Sequence, residues 1–364
     1  GAVLTHGVDH EIRGVGYINA ELVNDGIITA DVGVSVSGNT LVMQTNPKTN
    51  NDLMIAASGS ILQFSGITLD QLGGGQLVTN GGEVRLFNTT VLGGVYNAFG
   101  GLLRSQPGTN SISGITLNGP SIIEPNSTVV VDAEGMVNNG VMQINPVGSA
   151  SNSVVTFSET ASLAGTGEFQ LRSEGSDDSQ VNTAVGAILT HASTHLIRGV
   201  GQVNAALINN GEVRADSSVS VSGGTLTVQT NNQVNNALMV AAPSSTLRFI
   251  GVDVDQTGGG MLVADSGLIS LLSANFTGGS YVATGTGALT TFSGVSSVAG
   301  MTFDGPATVV PGTTLAIGTG GLVNNGVLQV NPSGSASNAV VVATDSIGLT
   351  GNGEIRMRSQ GSDD

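Results

Sequence analysis

The chain contains no cysteine and no tryptophan, and its 364 residues include one lysine, Lys48. The missing cysteine excludes a disulfide scaffold and thiolate metal sites. Aromatic residues are 3% and charged residues 10%. Cations are scarcest: ten Lys and Arg stand against 26 Asp and Glu, a formal charge of −16. Such a balance argues against nucleic acid and anionic membrane surfaces, whose partners bring Lys and Arg to phosphates. No apolar run reaches the roughly 18 residues of a membrane helix, so no membrane insertion is expected. Disorder normally needs high charge and low hydrophobicity, but hydrophobic residues make up 39%, which predicts a folded chain.

What is abundant is glycine, 55 residues, together with Asn, Ser, Thr and β-branched residues. This is strand-and-turn chemistry. The sequence is also written twice. Residues 1–31 return at 186–216 with 18 of 31 positions identical. The offset is 185 as far as the tract around Gly100 and 186 beyond it. Two units are expected, 1–185 and 186–364, joined without a break through the short segment 179–185. The second copy stops where that joint would start again, so the chain reads as two units of a longer polymer. Arrays of this kind are built for length rather than for one catalytic pocket.

Short runs alternate apolar and polar residues, as in Ser60-Ile61-Leu62-Gln63-Phe64 and Glu83-Val84-Arg85-Leu86-Phe87. Period two places one face in and one face out. Groups of runs start near Leu53, Leu77, Leu102, Val129 and Val154. Steps of about two dozen residues fit the coils of a β-solenoid. The prediction is an all-β parallel β-helix of about seven coils per repeat. An antiparallel fold with Asn-Gly hairpins is the competing architecture. In a β-helix the interior is a narrow apolar column with little room for Trp or Tyr. Corners with φ > 0 would collect Gly and Asn. The corner tracts are Asn24-Asp25-Gly26, Asn138-Asn139-Gly140, Asn209-Asn210-Gly211 and Asn324-Asn325-Gly326. Stacked Asn side chains there can hydrogen-bond along the axis.

The pattern Ile-Arg-Gly-Val-Gly-x-(Ile/Val)-Asn-Ala-x-Leu-(Val/Ile)-Asn-(Asp/Asn)-Gly, at 12–26 and 197–211, resembles the Gly-Asn-rich repeats of very large secreted bacterial β-strand-repeat proteins. These include β-helical passengers of autotransporter-type adhesins and stalk- or fibre-forming surface proteins. The resemblance covers the whole chain. It implies a right-handed solenoid, an extracellular or cell-surface location and no catalytic motif.

Candidate sites are few. His6 and His10, repeated as His191 and His195, share a strand face and could meet a metal, but the ligand set is incomplete. Asp177-Asp178 and Asp363-Asp364 could hold Ca²⁺, although no calcium-binding nonapeptide or EF-hand loop is present. Glu168 and Arg172, repeated as Glu354 and Arg358, read as outward pairs. Arg13 and Arg198 could pair across neighbouring coils. Asp70, Asp253 and Asp255 are the best carboxylates for glycoside hydrolysis, but Thr68 stands where the second copy has Asp253. No enzyme is expected, and no cofactor beyond a possible Ca²⁺. The expected partner is the chain itself, head to tail, with lateral bundling of fibres possible. Surface glycans are an alternative partner for divergent loops, foremost Tyr96–Phe99 against Tyr281–Thr284. A β-helical polysaccharide lyase or hydrolase is the third and least supported reading.

Overall fold

The computed structural model describes residues 2–175 and 177–359. It divides into two compact units. Unit 1 comprises Gly1–Gln170 and Asp178–Leu189, and unit 2 comprises Leu171–Asp177 and Thr190–Asp364.

Unit 1 is a parallel β-solenoid. The chain runs through a strand of a first sheet (Val3–His6), a second (Glu11–Gly14) and a third (Gly16–Ile18), then returns to the first at Glu21–Asn24. That cycle repeats along the unit. In the first sheet Glu21–Asn24 pairs in parallel with both Val3–His6 and Lys48–Asn50. In the second sheet Leu53–Ala57 lies between Ile27–Ala30 and Gln76–Asn80. In the third, Ile61–Ser65 lies between Thr40–Gln44 and Glu83–Phe87. The strands between Val3 and Leu171 number 24, which in threes make eight turns.

Unit 2 is wound in the same way. Thr225–Gln229, Thr246–Ile250 and Leu268–Leu272 pair successively in parallel, as do Leu238–Ala241, Met261–Asp265 and Ser280–Thr284. The all-β parallel helix is therefore the fold, and the antiparallel alternative is not. Antiparallel pairing among the described residues amounts to an isolated bridge, Ala57 to Gly81.

Period two explains the core. Leu41, Leu62, Val84 and Leu103 are register partners on successive turns and are all buried. Met43, Phe64 and Leu86 form the next column. Each side chain leaves water against its own counterpart one turn away, worth about 1.5–3 kcal/mol apiece. No helix longer than a three-residue 3₁₀ turn occurs among the described residues.

Several expectations need correction. Turns are not uniform: the register step is 18 residues from Val3 to Glu21 but 26 from Thr128 to Val154. A fixed step of two dozen thus places Leu53 and Leu77 on one sheet and Leu102 on another. Corners absorb the difference as loops of variable length.

The glycines of the four corner tracts have no positive φ. A Cβ on Gly26, Gly140, Gly211 or Gly326 would lie 2.4, 2.1, 2.4 or 2.0 Å from a carbonyl oxygen of an adjacent turn. Close approach of two turns, not left-handed backbone, demands glycine there.

The interior also admits tyrosine. Tyr96 and Tyr281 are fully buried. Tyr96 Oη lies 3.2 Å from Thr79 Oγ1 and donates to the Pro120 carbonyl (3.3 Å), while Tyr281 Oη donates to Pro306 (2.7 Å). Gly119 leaves room for the first ring, since a Cβ there would meet Tyr96 Cε1 at 3.2 Å. The segments taken as divergent loops are the strands Val95–Phe99 and Ser280–Thr284.

Candidate functional site

The densest buried polar chemistry is a ladder at one corner of the first repeat. The last residue of each of three successive strands of the first sheet points inward there: His6, Asn24 and Asn50, all buried. Gln71, one residue past Thr68–Asp70, follows them and is also buried. His6 Nδ1 lies 2.6 Å from Asn24 Oδ1. Asn24 Nδ2 donates to Asn50 Oδ1 (2.8 Å), and Asn50 Nδ2 donates to Gln71 Oε1 (3.1 Å). Gln71 Nε2 ends the run on the Gly93 carbonyl at 3.4 Å. At the other end His10 Nδ1 lies 3.1 Å from His6 Nε2, with the rings edge to face.

The second repeat builds the same ladder from His195, His191, Asn209, Asn235 and Gln256. Its links measure 3.1, 2.8, 2.9 and 2.9 Å. Burial holds the His191 imidazole below its ordinary pKa and pushes His195 down to about 3. Both rings are therefore neutral at pH 7.

The direction of each amide follows from its neighbours. Asn24 Nδ2 also reaches the Leu53 carbonyl (3.4 Å), and Asn50 Nδ2 the Gln76 carbonyl (3.2 Å). Asn209 Nδ2 reaches Leu238 O at 3.0 Å, and Asn209 Oδ1 accepts from Gly211 N at 3.2 Å. Carbonyls only accept and peptide N–H groups only donate. Each Oδ1 therefore faces the histidine end. His6 and His191 face an acceptor and so carry a proton on Nδ1, and in the neutral ring this leaves Nε2 to accept from His10 or His195.

This geometry joins residues that the sequence presented separately, the His pairs and the corner asparagines. Asn50, Asn235, Gln71 and Gln256 were missed. The available signal was an amide at the end of each matching strand, repeated at an offset of 185. In each histidine pair the inner ring uses both nitrogens in the ladder and the outer ring uses one. No cluster of three metal-ligating side chains occurs among the described residues.

The later corner asparagines are placed differently. Asn138 and Asn324 are buried and donate to the carbonyls of Glu168 and Glu354, both at 3.2 Å. Asn139 donates to Asn118 Oδ1 (2.8 Å), Asn118 to Asn97 (3.0 Å) and Asn97 to Gln76 (3.2 Å), an outer ladder at the surface. Asn325 donates to Asp304 (2.7 Å) and Asn210 accepts from Asn236 (2.9 Å).

Charged candidates sit on the outer faces. Arg13 pairs with Asp31 on the following turn, and Arg198 with Asp216 (3.4 Å), as cross-coil pairing predicts. Glu354 pairs with Arg356 at 2.9 Å instead of with Arg358, which donates to the Pro332 carbonyl. On a strand, positions four apart lie about 13 Å from each other, beyond ion-pair reach. Asp253 accepts from Asn232 (3.1 Å) and Asn275 (2.8 Å). Thr257, through its hydroxyl and then its N–H, holds the Asp255 carboxyl below the usual range. A glycosidase acid needs the opposite shift. Asp177 is exposed, Asp178 is buried and accepts from Ser153 N through its carbonyl at 2.8 Å. Asp363 and Asp364 lie outside the described residues.

One open groove of about 480 Å³ carries charge. Gly81, Gly82, Gly100 and Gly101 line it, with Glu83, Arg85 and Arg104 beside them. Arg104 is paired with both Glu83 and Glu124, and Arg85 with Glu83 at 2.6 Å. Hydrogen bonds from Arg85 and Arg104 hold the Glu83 carboxyl low against the opposing effect of burial. In the second repeat the same places hold Leu268, Ser270, Thr290 and Val310. Phe99, whose carbonyl accepts from Gly81 N (3.0 Å), is 66% exposed, and Thr284 takes its place in the second copy.

The chain matches no protein-family model, and no curated protein is significantly similar to it in sequence.

Proposed function

We propose that the chain is a structural segment of a long extracellular bacterial filament, stalk or surface protein, lengthened by stacking β-solenoid units end to end. One observation carries this reading. What the two repeats share are the contacts that bind turn to turn, His6–Asn24–Asn50–Gln71 and His191–Asn209–Asn235–Gln256. Differences between them include outward positions, such as Arg85 against Ser270. A scaffold needs the first set and tolerates change in the second. No enzymatic role is proposed.

End-to-end stacking would pair the strands of one copy with those of the next. Electron microscopy with diffraction tests it. Filaments with a meridional spacing near 4.8 Å are expected, and a monodisperse monomer at high concentration would count against the reading.

The charged groove favours a second reading, an adhesin-like surface. Two guanidinium groups and one carboxylate line it, and Arg104 is also paired with Glu124 outside the lining; each cation is already paired, so a neutral polyhydroxylated glycan, whose hydroxyls both donate and accept, fits better than an anion. Binding to neutral glycans that is lost in E83L/R85S/R104T would support it. Binding that persists in that variant would remove it.

A further inference from the structure

A solenoid of near-equivalent turns has a register problem. Its strands are three to six residues long at most in the first sheet of unit 1. A slip of two residues keeps every inward residue inward. The apolar column does not resist such a slip. Leu22, Lys48, Leu69 and Val91 occupy one column of the first sheet, and its three apolar members could stand for one another. Hydrophobic burial therefore fixes which face is inside but only weakly fixes which strand residue meets which.

We propose that the buried His–Asn–Asn–Gln ladder is the register key of each repeat, selecting a single stacking of its first turns and a single order of protons. Each rung has a donor on one side and an acceptor on the other. Asn24 meets Asn50 only where Lys48–Asn50 lies in its observed register, Asn24 opposite Asn50. A two-residue slip would set Asn50 against Leu22 and take the Asn24 Nδ2 donor away from the buried Asn50 Oδ1. Unpaired buried amides are costly, while the apolar alternatives are nearly equal in free energy. A slip of Lys48–Asn50 breaks two links, Asn24–Asn50 and Asn50–Gln71, and the orientation of the run is pinned by the Leu53 and Gln76 carbonyls. A single buried asparagine sets register in coiled coils on the same principle. The key stands at the start of each repeat, at positions 6–71 and 191–256. Its action inside one repeat does not depend on whether copies join end to end.

The absence of cysteine makes the test clean. Val23 and Thr49 are register partners on the outer face of these strands, and both are half-buried. Neighbouring strands hold Cα atoms within disulfide range. The full chain carrying Val23→Cys and Thr49→Cys is refolded and oxidised, with and without an apolar ladder (H6L/N24L/N50L/Q71M). With the native ladder, near-complete cross-linking is expected. With the apolar ladder, β-structure by circular dichroism should persist while the cross-linked fraction falls at least twofold. Equal cross-linking in the two proteins would overturn the proposal. Should the quadruple variant fail to fold, Asn50→Leu alone is read in the same way. The proton order has its own readout. ¹⁵N spectra of the unmutated chain at neutral pH should show His6 and His191 protonated on Nδ1 and bare on Nε2, and the reverse tautomer would overturn it.

Discussion

Lys48 and Gln233 occupy the same place in the two repeats and hold the same carbonyl. Lys48 Nζ donates to Asn46 O at 2.5 Å and Gln233 Nε2 to Asn231 O at 2.5 Å. Both side chains are buried. The chain thus solves one problem, an inward-turned carbonyl at a strand entry, once with a charged donor and once with a neutral one.

The charged solution has a pH signature. Burial lowers the Lys48 pKa to about 8, against a smaller opposing effect of Glu21. The unfolded lysine titrates near 10.4. Between these values unfolding takes up a proton, so stability rises as pH rises from 8. Lys48→Gln should remove that rise and be more stable than the parent at pH 7. Urea midpoints between pH 7 and about 9.5 check this, below the range where tyrosines ionise.

The second histidine pair acts at the other end of the scale. Unfolded imidazoles take up protons as pH falls through about 6.5, whereas His195 resists until about 3. Unfolding therefore binds protons in that window, and stability present above 6.5 is lost as pH drops towards 3. The loss is at most about 1.4 kcal/mol per pH unit for each ring. His195→Asn keeps a donor near Nδ1 and should flatten the fall between pH 7 and 5, measured by denaturant unfolding. An unchanged slope would show that His195 titrates normally.

Glycines at the close corners should not be exchangeable. Gly140→Ala brings a Cβ to 2.1 Å from the Gly119 carbonyl oxygen, and two turns must separate. A loss above ~2 kcal/mol is expected. Gly7→Ala meets open space and should change stability by less than ~0.5 kcal/mol. Paired unfolding curves separate the cases.

The ion cluster should be dispensable for folding. The second repeat does without it, and its members are partly exposed. E83L/R85S/R104T should fold within about 1 kcal/mol of the parent. Collapse of that variant would assign the charges to stability and take away the support for a binding groove.

Alternation of small apolar and polar residues, with glycine and asparagine at the breaks, was enough to give a parallel solenoid, because period two and corner chemistry are local properties. The internal repeat was likewise plain in the chain; that Arg13 and Arg198 could each pair across coils was legible too, but not that Asp31 and Asp216 are their partners. The ladder was only half legible. His6 and Asn24 stand 18 residues apart, and Asn24 and Asn50 stand 26 apart. No local rule joins them, since corner loops of unequal length decide which residues meet one turn later. The same reason put Tyr96 inside, opposite the space that Gly119 leaves. It also made Gly26 and Gly140 a matter of contact with another turn, not of their own backbone angles. Sequence by itself determined that alternate strand positions face inward. Tertiary structure decided which inward residues touch, because stacking is set by loop length and by the pairing of buried polar groups across turns.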